Sequence, residues 1–322
     1  MILAGDVGGT KTLLGLFEPD AARPRPIAVR SFGTLDYDAL ETMIAAFLAD
    51  AAIDAARIGI ASIGAAGPVI GNVAELTAVP WRVDGARVGA ATRIARVVVL
   101  NDLQAMAFAV PVLQEAELHV LQRGTPAPGG NMALIAAGTG LGEALLHCVD
   151  GRRYVPAASE GGHADFSART EREMAVVRDL TTRYGRADVE HVVSGRGLVN
   201  IHRVTHADGC AAAIDLDRPH AAAAITAAAF DRRCPGCVEA LDLFVEAYGA
   251  QAGNLALRSV ATGGVFIGGG IAPKILPALT SGAFMRAFCA KPPLDGLLGA
   301  MPVNVILNDS AGLLGAAVFA ST

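Results

Sequence analysis

Short apolar runs that end in polar or glycine-rich segments recur along this chain. The clearest is Val97-Val98-Val99-Leu100, which Asn101 and Asp102 follow directly. Such β-branched runs are typical of buried strands, and the carboxyl ends of strands in an open α/β sheet are where substrates bind. Because an aspartate there can accept a hydroxyl proton, Asp102 is a candidate general base and Asn101 a candidate substrate ligand. The alternative is that Asp102 only caps the next helix.

The first third of the chain alternates between strand and helix patterns. Strands are predicted at residues 2–5, 13–17, 27–32, 58–63 and 97–100, and helices at 38–50, 86–94 and 103–108. Asp38 and Glu41 resemble a capping box at the first helix. The order β-β-β-α-β-α-β predicts an α/β lobe.

The rest of the chain repeats this pattern. Strands are predicted at residues 132–137, 143–148, 265–267 and 303–307, and helices at 241–258 and 310–319. A capping box, Thr170 to Glu173, opens a further helix that stops before Gly185. Two halves that each begin with strand, turn and strand indicate an internal duplication.

A glycine-rich turn separates the first two strands of each half. The first turn is Asp6-Val-Gly-Gly-Thr10, the second is Gly138-Thr-Gly-Leu-Gly142, and Gly268-Gly-Gly270 forms a third turn after a later strand. Backbone amides in such turns approach anions closely. The first turn is not a P-loop, because Thr10 precedes Lys11 and a strand follows. Two such hairpins can grip a polyphosphate, as in actin-like ATPases.

Length, charge and composition narrow the class of protein. A chain of 322 residues favours two lobes. The net charge of −5 and the lack of a basic run argue against a nucleic-acid partner. The apolar window 58–74 contains several glycines and a proline, so we expect no membrane span. The N-terminal residues do not resemble a signal peptide, which predicts a cytoplasmic protein.

The five cysteines are predicted to be free thiols in a reducing compartment. Cys234-Pro-Gly-Cys237 is a lone pair at a predicted helix entrance. A zinc site would need two further ligands, for which His206 and His220 are near in sequence. The sequence favours two ordinary thiols over a metal site.

Seven segments, in this order, resemble the bacterial glucokinase family, the hexokinase-like branch of the actin-like ATPase superfamily. They are Asp6-Val-Gly-Gly-Thr, Leu100-Asn-Asp, Ala137-Gly-Thr-Gly-Leu-Gly, Glu160-Gly-Gly-His-Ala-Asp-Phe, Glu190-His-Val-Val-Ser-Gly-Arg-Gly-Leu, Gly263-Gly-Val-Phe-Ile-Gly-Gly-Gly-Ile-Ala-Pro and Asn308-Asp-Ser-Ala-Gly-Leu-Leu-Gly. A single motif would be weak support, but the ordered set spans nearly the whole chain.

The resemblance implies an α/β fold of the actin-like ATPase (ribonuclease H-like) type, with two lobes around a central cleft. The small lobe would hold residues 1–110 and the C-terminal helix 308–322, and the large lobe residues 111–307. The implied activity is transfer of phosphate from ATP to the C6 hydroxyl of glucose, with Mg²⁺, in a cytoplasmic homodimer that serves glycolysis.

The resemblance also assigns residues. The implied glucose ligands are Asn101, Asp102, Glu160, His163 and Glu190, with Asp102 as the general base. The implied ATP-binding residues are Gly5, Asp6, Val7, Gly8, Gly9, Thr10, Gly138, Thr139, Gly140, Gly268, Gly269 and Gly270, and Asp6 would position Mg²⁺ through water. The alternatives are that Glu160 and Glu190 are solvated surface acids and that His163 is a satisfied turn histidine.

Three other functions stay open at this point. The first is a kinase for another hexose, an amino sugar or another phosphoryl donor. The second is a sugar-sensing regulator, which would need a DNA-binding helix pair before Asp6. The third is an actin-like filament protein, which would have no need of Glu160, His163 and Glu190 together.

One position departs from the family pattern. Where the family carries Leu-Thr-Asn before a Trp, this chain has Leu76-Thr77-Ala78 before Trp81. Alanine cannot supply the hydrogen bond that the asparagine gives to the sugar, and such a bond contributes about 0.5–1.5 kcal/mol.

We therefore expect Ala78→Asn to lower the KM for glucose several-fold and to leave the KM for ATP nearly unchanged. Initial rates of the wild type and the variant over a small sugar panel measure both constants. A variant with a higher KM for glucose and no gain on any other sugar would contradict this account of position 78.

Overall fold

The computed structural model describes residues 1–76, 79–206 and 209–322. Ala78, the position of the departure from the family motif, lies outside the described residues. Contacts divide the chain into two compact units. The first unit is Met1–Glu117, Tyr154–Ala158 and Asn308–Thr322, and the second is Leu118–Arg153 and Ser159–Leu307.

Strands and helices occupy most of both units. The strands are β1 (Ile2–Val7), β2 (Lys11–Glu18), β3 (Arg25–Gly33), β4 (Ile60–Ala65), β5 (Val69–Ile70), β6 (Val73–Glu75), β7 (Arg82–Asp84), β8 (Val97–Asn101), β9 (Leu118–Gln122), β10 (Met132–Ala137), β11 (Leu141–Cys148), β12 (Tyr154–Ser159), β13 (Gly264–Gly268) and β14 (Val303–Ile306). The helices are α1 (Leu40–Asp50), α2 (Gly85–Thr92), α3 (Asp102–Ala109), α4 (Glu171–Tyr184), α5 (Gly195–Thr205), α6 (Ala221–Phe230), α7 (Pro235–Ser259), α8 (Leu276–Leu279), α9 (Ala283–Cys289), α10 (Asp295–Ala300) and α11 (Ala311–Ser321).

The first unit is built on a five-stranded sheet in the order β3-β2-β1-β4-β8. The pair β1–β2 is an antiparallel hairpin, whereas β1–β4 and β4–β8 are parallel. Apolar residues of β1 and β2 are almost all buried, as their continuous hydrophobic runs predict. The predicted strands of this part of the chain are confirmed with shifted ends, and the small sheet β5-β6-β7 is an addition that the sequence analysis did not predict.

The predicted capping box at α1 is wrong. The helix begins at Leu40, and its N-cap is Ala39, which has no side chain able to accept a backbone hydrogen bond. The helix is held instead by its buried apolar face, which includes Met43, Ile44 and Phe47. The neighbouring helix α2 does have a side-chain cap, since Asp84 accepts from two backbone N–H groups.

The C-terminal helix α11 packs directly on α3 within the first unit. A Cβ atom at Gly315 would overlap the carbonyl oxygen of Ala105, so only glycine permits this approach. Around this contact, Leu313 and Ala316 join a small apolar core with Leu100 and Ala105. The end of the chain thereby covers the face of the sheet that its beginning forms.

The second unit repeats the sheet arrangement of the first. Its own strands run in the order β11-β10-β13-β14-β9. The pair β10–β11 is an antiparallel hairpin, and β10–β13 and β13–β14 are parallel. This is the arrangement that the predicted internal duplication requires. The edge strand β9 is antiparallel to β14.

Helix α7 is the central helix of the second unit and spans 25 residues. It begins at Pro235, earlier than the predicted start near residue 241, because proline without its N–H suits the first turn of a helix. Gly249 has no room for a Cβ against the backbone of Phe284 in α9, so the two helices pack closely there. None of the helices in the described residues has the length and apolar character needed to cross a membrane.

Segment 111–117 belongs to the first unit, although the sequence analysis assigned it to the second lobe. Arg23 donates to both carboxylate oxygens of Glu117, at 2.6 and 2.8 Å, and to the carbonyl of Val112 at 2.8 Å. Asn308 Nδ2 donates to the same carboxylate at 2.6 Å. These bonds lower the pKa of Glu117 from its usual 4.5 to about 2, chiefly through the Arg23 guanidinium.

We expect Glu117→Gln to destabilise the first unit by about 1–3 kcal/mol at pH 7. Since the pKa of Glu117 is lower in the folded chain, its contribution is complete above pH 4.5 and is lost as the pH falls towards 2. Urea unfolding followed by fluorescence of Trp81, the single tryptophan, measures this directly. Glu115→Gln is the matched control on the same turn. An equal loss at pH 3 and pH 7 would contradict the role given to the ion pair.

Candidate active site

Three parallel strands of the first unit end at one edge of the sheet. Asp6 on β1 is paired with Gly64 on β4, and Gly64 is paired with Leu100 on β8. Since neighbouring strands lie about 4.8 Å apart, the backbones of Asp6 and Leu100 are roughly 10 Å apart. Asn101 and Asp102 follow Leu100 directly, so the two predicted carboxylates, Asp6 and Asp102, share this edge.

Asn101, not Asp102, caps helix α3. Its Oδ1 accepts from the backbone N–H groups of Leu103 and Gln104, at 3.0 and 3.1 Å, and its Nδ2 donates to the carbonyl of Gly67 at 3.1 Å. The alternative that Asp102 is the N-cap is therefore wrong. Asp102 is the first residue of the helix, half-buried, and its Oδ1 lies 2.9 Å from Leu103 N.

Asp6 is a half-buried carboxylate near the start of α11. Desolvation raises its pKa to about 6 from the usual 3.8, and the positive charge of Lys11 opposes that rise. A Cβ atom at Gly312 would come within 2.6 Å of Asp6 Oδ2, so a side chain at position 312 would displace the carboxylate. A carboxylate that has lost hydration is stabilised by a bound cation, and a single oxygen ligand of this kind suits Mg²⁺.

The first glycine turn joins β1 to β2 and is held by a threonine. Within the turn, the N–H of Gly8 donates to the carbonyl of Lys11 at 3.0 Å. Thr34 Oγ1 donates to the carbonyl of Gly8 at 2.8 Å, and the N–H of Thr34 donates to the carbonyl of Thr10 at 3.0 Å. The sequence analysis missed Thr34 because no motif marks it and its partners are distant along the chain.

The second and third glycine turns meet at the carboxyl ends of β10 and β13. Gly138 N donates to Gly140 O within the second turn, at 2.8 Å. Gly269 in the third turn has a φ of +83° and packs so closely on Ala137 that a side chain there would overlap the backbone. The parallel pairing of β10 and β13 brings these turns together.

Glu190 contacts the second glycine turn. Its Oε2 accepts from Leu141 N at 2.9 Å and lies 2.5 Å from where a Cβ of Gly140 would be. The backbone N–H of Glu190 donates to the carbonyl of Gly162 at 2.8 Å. Glu190 is half-buried, so it is not simply a solvated surface acid. It links the turn at residues 138–140 to the segment that carries Glu160 and His163.

Glu160 and His163 lie on one exposed turn. The N–H of His163 donates to the carbonyl of Glu160 at 3.0 Å, which closes the turn, and both side chains are exposed. His163 Nδ1 lies 3.5 Å from Oδ2 of Asp188, a buried carboxylate that orients the ring. The structure thus brings Glu160, His163 and Glu190 into one region of the second unit.

Two buried residues support these turns, and the sequence analysis missed both. Glu143 on β11 lies beneath Gly161, and burial raises its pKa, while Gln251 donates to it at 2.6 Å. Tyr248 on α7 places its hydroxyl between the ends of β10 and β13, where it accepts from Ala137 N at 3.2 Å and lies 3.4 Å from the carbonyl of Gly268. No motif in the sequence marks either residue.

Comparison with known families decides the identity. The family model for glucokinase matches residues 3–322. The chain belongs to the glucokinase family. Glucokinases phosphorylate glucose with ATP, so the predicted family and enzyme class are confirmed.

The relatives agree over nearly the full length of this glucokinase-family chain. It is 36% identical to the glucokinase of Synechocystis sp. over 99% of this chain and 97% of that one. The crystal structure of glucokinase from an Antarctic psychrotroph gives a TM-score of 0.85 at 28% identity, covering 99% and 98% of the two chains. A ROK family glucokinase from Streptomyces griseus, solved with glucose and AMPPNP, gives 0.65 at 22% identity over 99% and 98%, a likeness of fold alone. The predicted actin-like ATPase fold is confirmed.

We expect Tyr248→Phe to lower the stability of the second unit by about 1–3 kcal/mol, because the buried N–H of Ala137 loses its acceptor. Differential scanning calorimetry measures the shift of the unfolding midpoint. Tyr37→Phe, on the first unit, is the matched control. If Tyr248→Phe melts at the wild-type temperature, the hydroxyl does not hold the two strand ends.

Proposed function

We propose that Asp102 is the general base of this glucokinase and that the acceptor is the C6 hydroxyl of glucose. The observation that carries the proposal is that Asn101, and not Asp102, caps the helix after β8. Asn101 supplies the helix cap, so capping does not account for a carboxylate at position 102. A carboxylate at the carboxyl end of a parallel strand is well placed to accept a proton from a bound hydroxyl.

Glucose binding is assigned to Asn101, Asp102, Glu160, His163 and Glu190. A hexose presents hydroxyl groups that both donate and accept, and carboxylate, amide and imidazole groups match them. The exposed Glu160 and His163 side chains support this role, since they sit on a turn fixed by backbone hydrogen bonds. Glu190 keeps Oε1 for a sugar hydroxyl while Oε2 holds the second glycine turn.

ATP binding is assigned to the three glycine turns. In the first turn the N–H of Gly8 already donates to the carbonyl of Lys11, so the backbone N–H groups of Gly9 and Thr10 are assigned to the phosphates. Gly138, Thr139 and Gly140 form the corresponding turn of the second unit, and Gly268, Gly269 and Gly270 offer a side-chain-free surface to the nucleoside. The likeness of fold to the Streptomyces griseus kinase, which was solved with AMPPNP, supports the use of ATP.

Asp6 is assigned to Mg²⁺, through water. The fit rests on the place of Asp6 near the carboxyl end of β1, where Gly312 leaves room for its carboxylate, and on the burial that raises its pKa. When bound, Mg²⁺ neutralises charge on the phosphate oxygens.

The reaction then needs no covalent bond between the protein and the substrates. Asp102 takes the proton of the C6 hydroxyl as the C6 oxygen forms its bond to the γ-phosphorus of ATP. The bond from that phosphorus to the bridging oxygen breaks, and ADP leaves with the electron pair. Because the transition state is loose, the proton transfers late, and the reaction does not depend on a strong base at this position.

The setting of the enzyme is proposed as cytoplasmic, in glycolysis, and its assembly as a homodimer. All five cysteines are free in the structure, which suits a reducing compartment. The homodimer rests on the family resemblance alone, and sedimentation velocity of the purified chain tests it.

We expect Asp102→Asn to lower kcat by about 10²–10⁴-fold, the range typical of a positioned general base. Glucose affinity should stay within a few-fold, because an amide still donates and accepts. Coupled ADP-release rates give kcat, and calorimetric titration gives the Kd for glucose. Asp217→Asn, an almost fully exposed aspartate, is the control. An Asp102→Asn enzyme with most of its turnover would exclude Asp102 as the base.

A further inference from the structure

Three cysteines and two histidines meet in the second unit, apart from every residue assigned above to glucose or ATP. His202 and His206 lie at the end of α5, Cys210 in the loop that follows, and Cys234 and Cys237 at the start of α7. Among the described residues, His202, His206, Cys210 and Cys237 place ligand atoms within 4.8 Å of one another. His220, the other histidine considered from the sequence, is not in this group.

Four distances among His206, Cys210, Cys234 and Cys237 match a tetrahedron around one ion. Cys210 Sγ lies 3.9 Å from Cys234 Sγ and 3.9 Å from Cys237 Sγ. His206 Nε2 lies 3.1 Å from Cys234 Sγ and 3.7 Å from Cys237 Sγ. With Zn–S bonds of about 2.3 Å, the sulfurs of a tetrahedral site are about 3.8 Å apart. The cysteines are free thiols, so no disulfide explains this spacing.

His206 is oriented as zinc-binding histidines are. Its Nδ1 lies 2.8 Å from the carbonyl oxygen of His202, which can only accept a hydrogen bond. Nδ1 therefore carries the ring proton, and the lone pair of Nε2 is directed at the thiols. A backbone carbonyl that fixes the tautomer in this way is the usual partner of a metal-bound histidine.

The backbone between Cys234 and Cys237 leaves room for the His206 ring to approach the two thiols. A Cβ atom at Gly236 would lie 2.6 Å from His206 Nε2, so glycine between the two cysteines admits the ring. His202 stacks on His206 with ring centroids 3.6 Å apart, and both of its buried nitrogens have no hydrogen-bond partner in the described part of the chain. A cavity of about 540 Å³, lined by His206, Cys234 and Gly236, gives an ion a path from solvent.

We propose that His206, Cys210, Cys234 and Cys237 form a structural zinc site. Three thiolates and one imidazole are a donor set that zinc prefers, and four protein ligands leave no open position for catalysis. Binding displaces the thiol protons to solvent. The ion would join the end of α5, the loop carrying Cys210 and the start of α7. The sequence analysis favoured ordinary thiols because Cys234 and Cys237 form a lone pair in sequence, with only His206 and His220 as nearby candidate ligands, and it did not identify Cys210 as a further ligand.

The test is the metal content of the full chain, purified under reducing conditions from zinc-supplemented medium. We expect equimolar zinc in the wild type and in the Cys148→Ser, Cys289→Ser double variant, whose cysteines lie outside the group. Cys210→Ser and Cys237→Ser should each lose most of the zinc. Cobalt added to the reduced, metal-free wild type should give the charge-transfer and d–d bands of tetrahedral thiolate coordination, and a chelator should lower its melting temperature.

Because the cobalt titration uses the wild-type chain, a variant that fails to fold does not prevent the test. Zinc far below equimolar, together with cobalt spectra of octahedral type, would overturn the proposal. Equal zinc in the wild type and in Cys210→Ser would also overturn it. Alkylation that finds a Cys234–Cys237 disulfide in the zinc-supplemented protein would assign the pair to redox chemistry instead.

Discussion

Parallel pairing next to a hairpin is the constraint on which the rest of this structure depends. In each unit the first strand of a hairpin also pairs in parallel with a later strand, β1 with β4 and β10 with β13. The hairpin turn and the end of the later strand must then lie at the same edge. Each sheet thereby places a glycine turn beside another predicted site segment, with Asp6 and Asp102 in one unit and Gly138 and Gly269 in the other.

Residues remote in sequence hold these edges rigid. Thr34 fastens the first turn, Tyr248 joins the ends of β10 and β13, and Glu190 ties the second turn to the segment of Glu160. Each does so through hydrogen bonds to backbone groups, which leaves the turns free of side chains. Phosphoryl transfer depends on positioning and on charge, and hydrogen bonds of this kind fix the position of the glycine turns to which ATP binding is assigned by proposal.

The sequence predicted the fold class and most strands, because buried parallel strands have continuous apolar runs that are easy to recognise. It also predicted the segments that carry Asp102, Glu160 and Glu190, whose roles stay proposals. It could not predict the cap at Asn101, since Asn and Asp cap helices equally well and only geometry separates them. Nor could it find Tyr248, Thr34 or Cys210, because their contacts join residues that no local pattern connects.

The central claim is transfer of the γ-phosphoryl group of ATP to the C6 oxygen of glucose. The most direct measurement is carbon and phosphorus NMR of the product formed from ¹³C-labelled glucose, ATP and Mg²⁺ by the purified chain. The account predicts glucose 6-phosphate, recognised by phosphorus coupling at C6, and one ADP for each sugar phosphate. Phosphate on another carbon, or ADP and inorganic phosphate without a sugar phosphate, would contradict it.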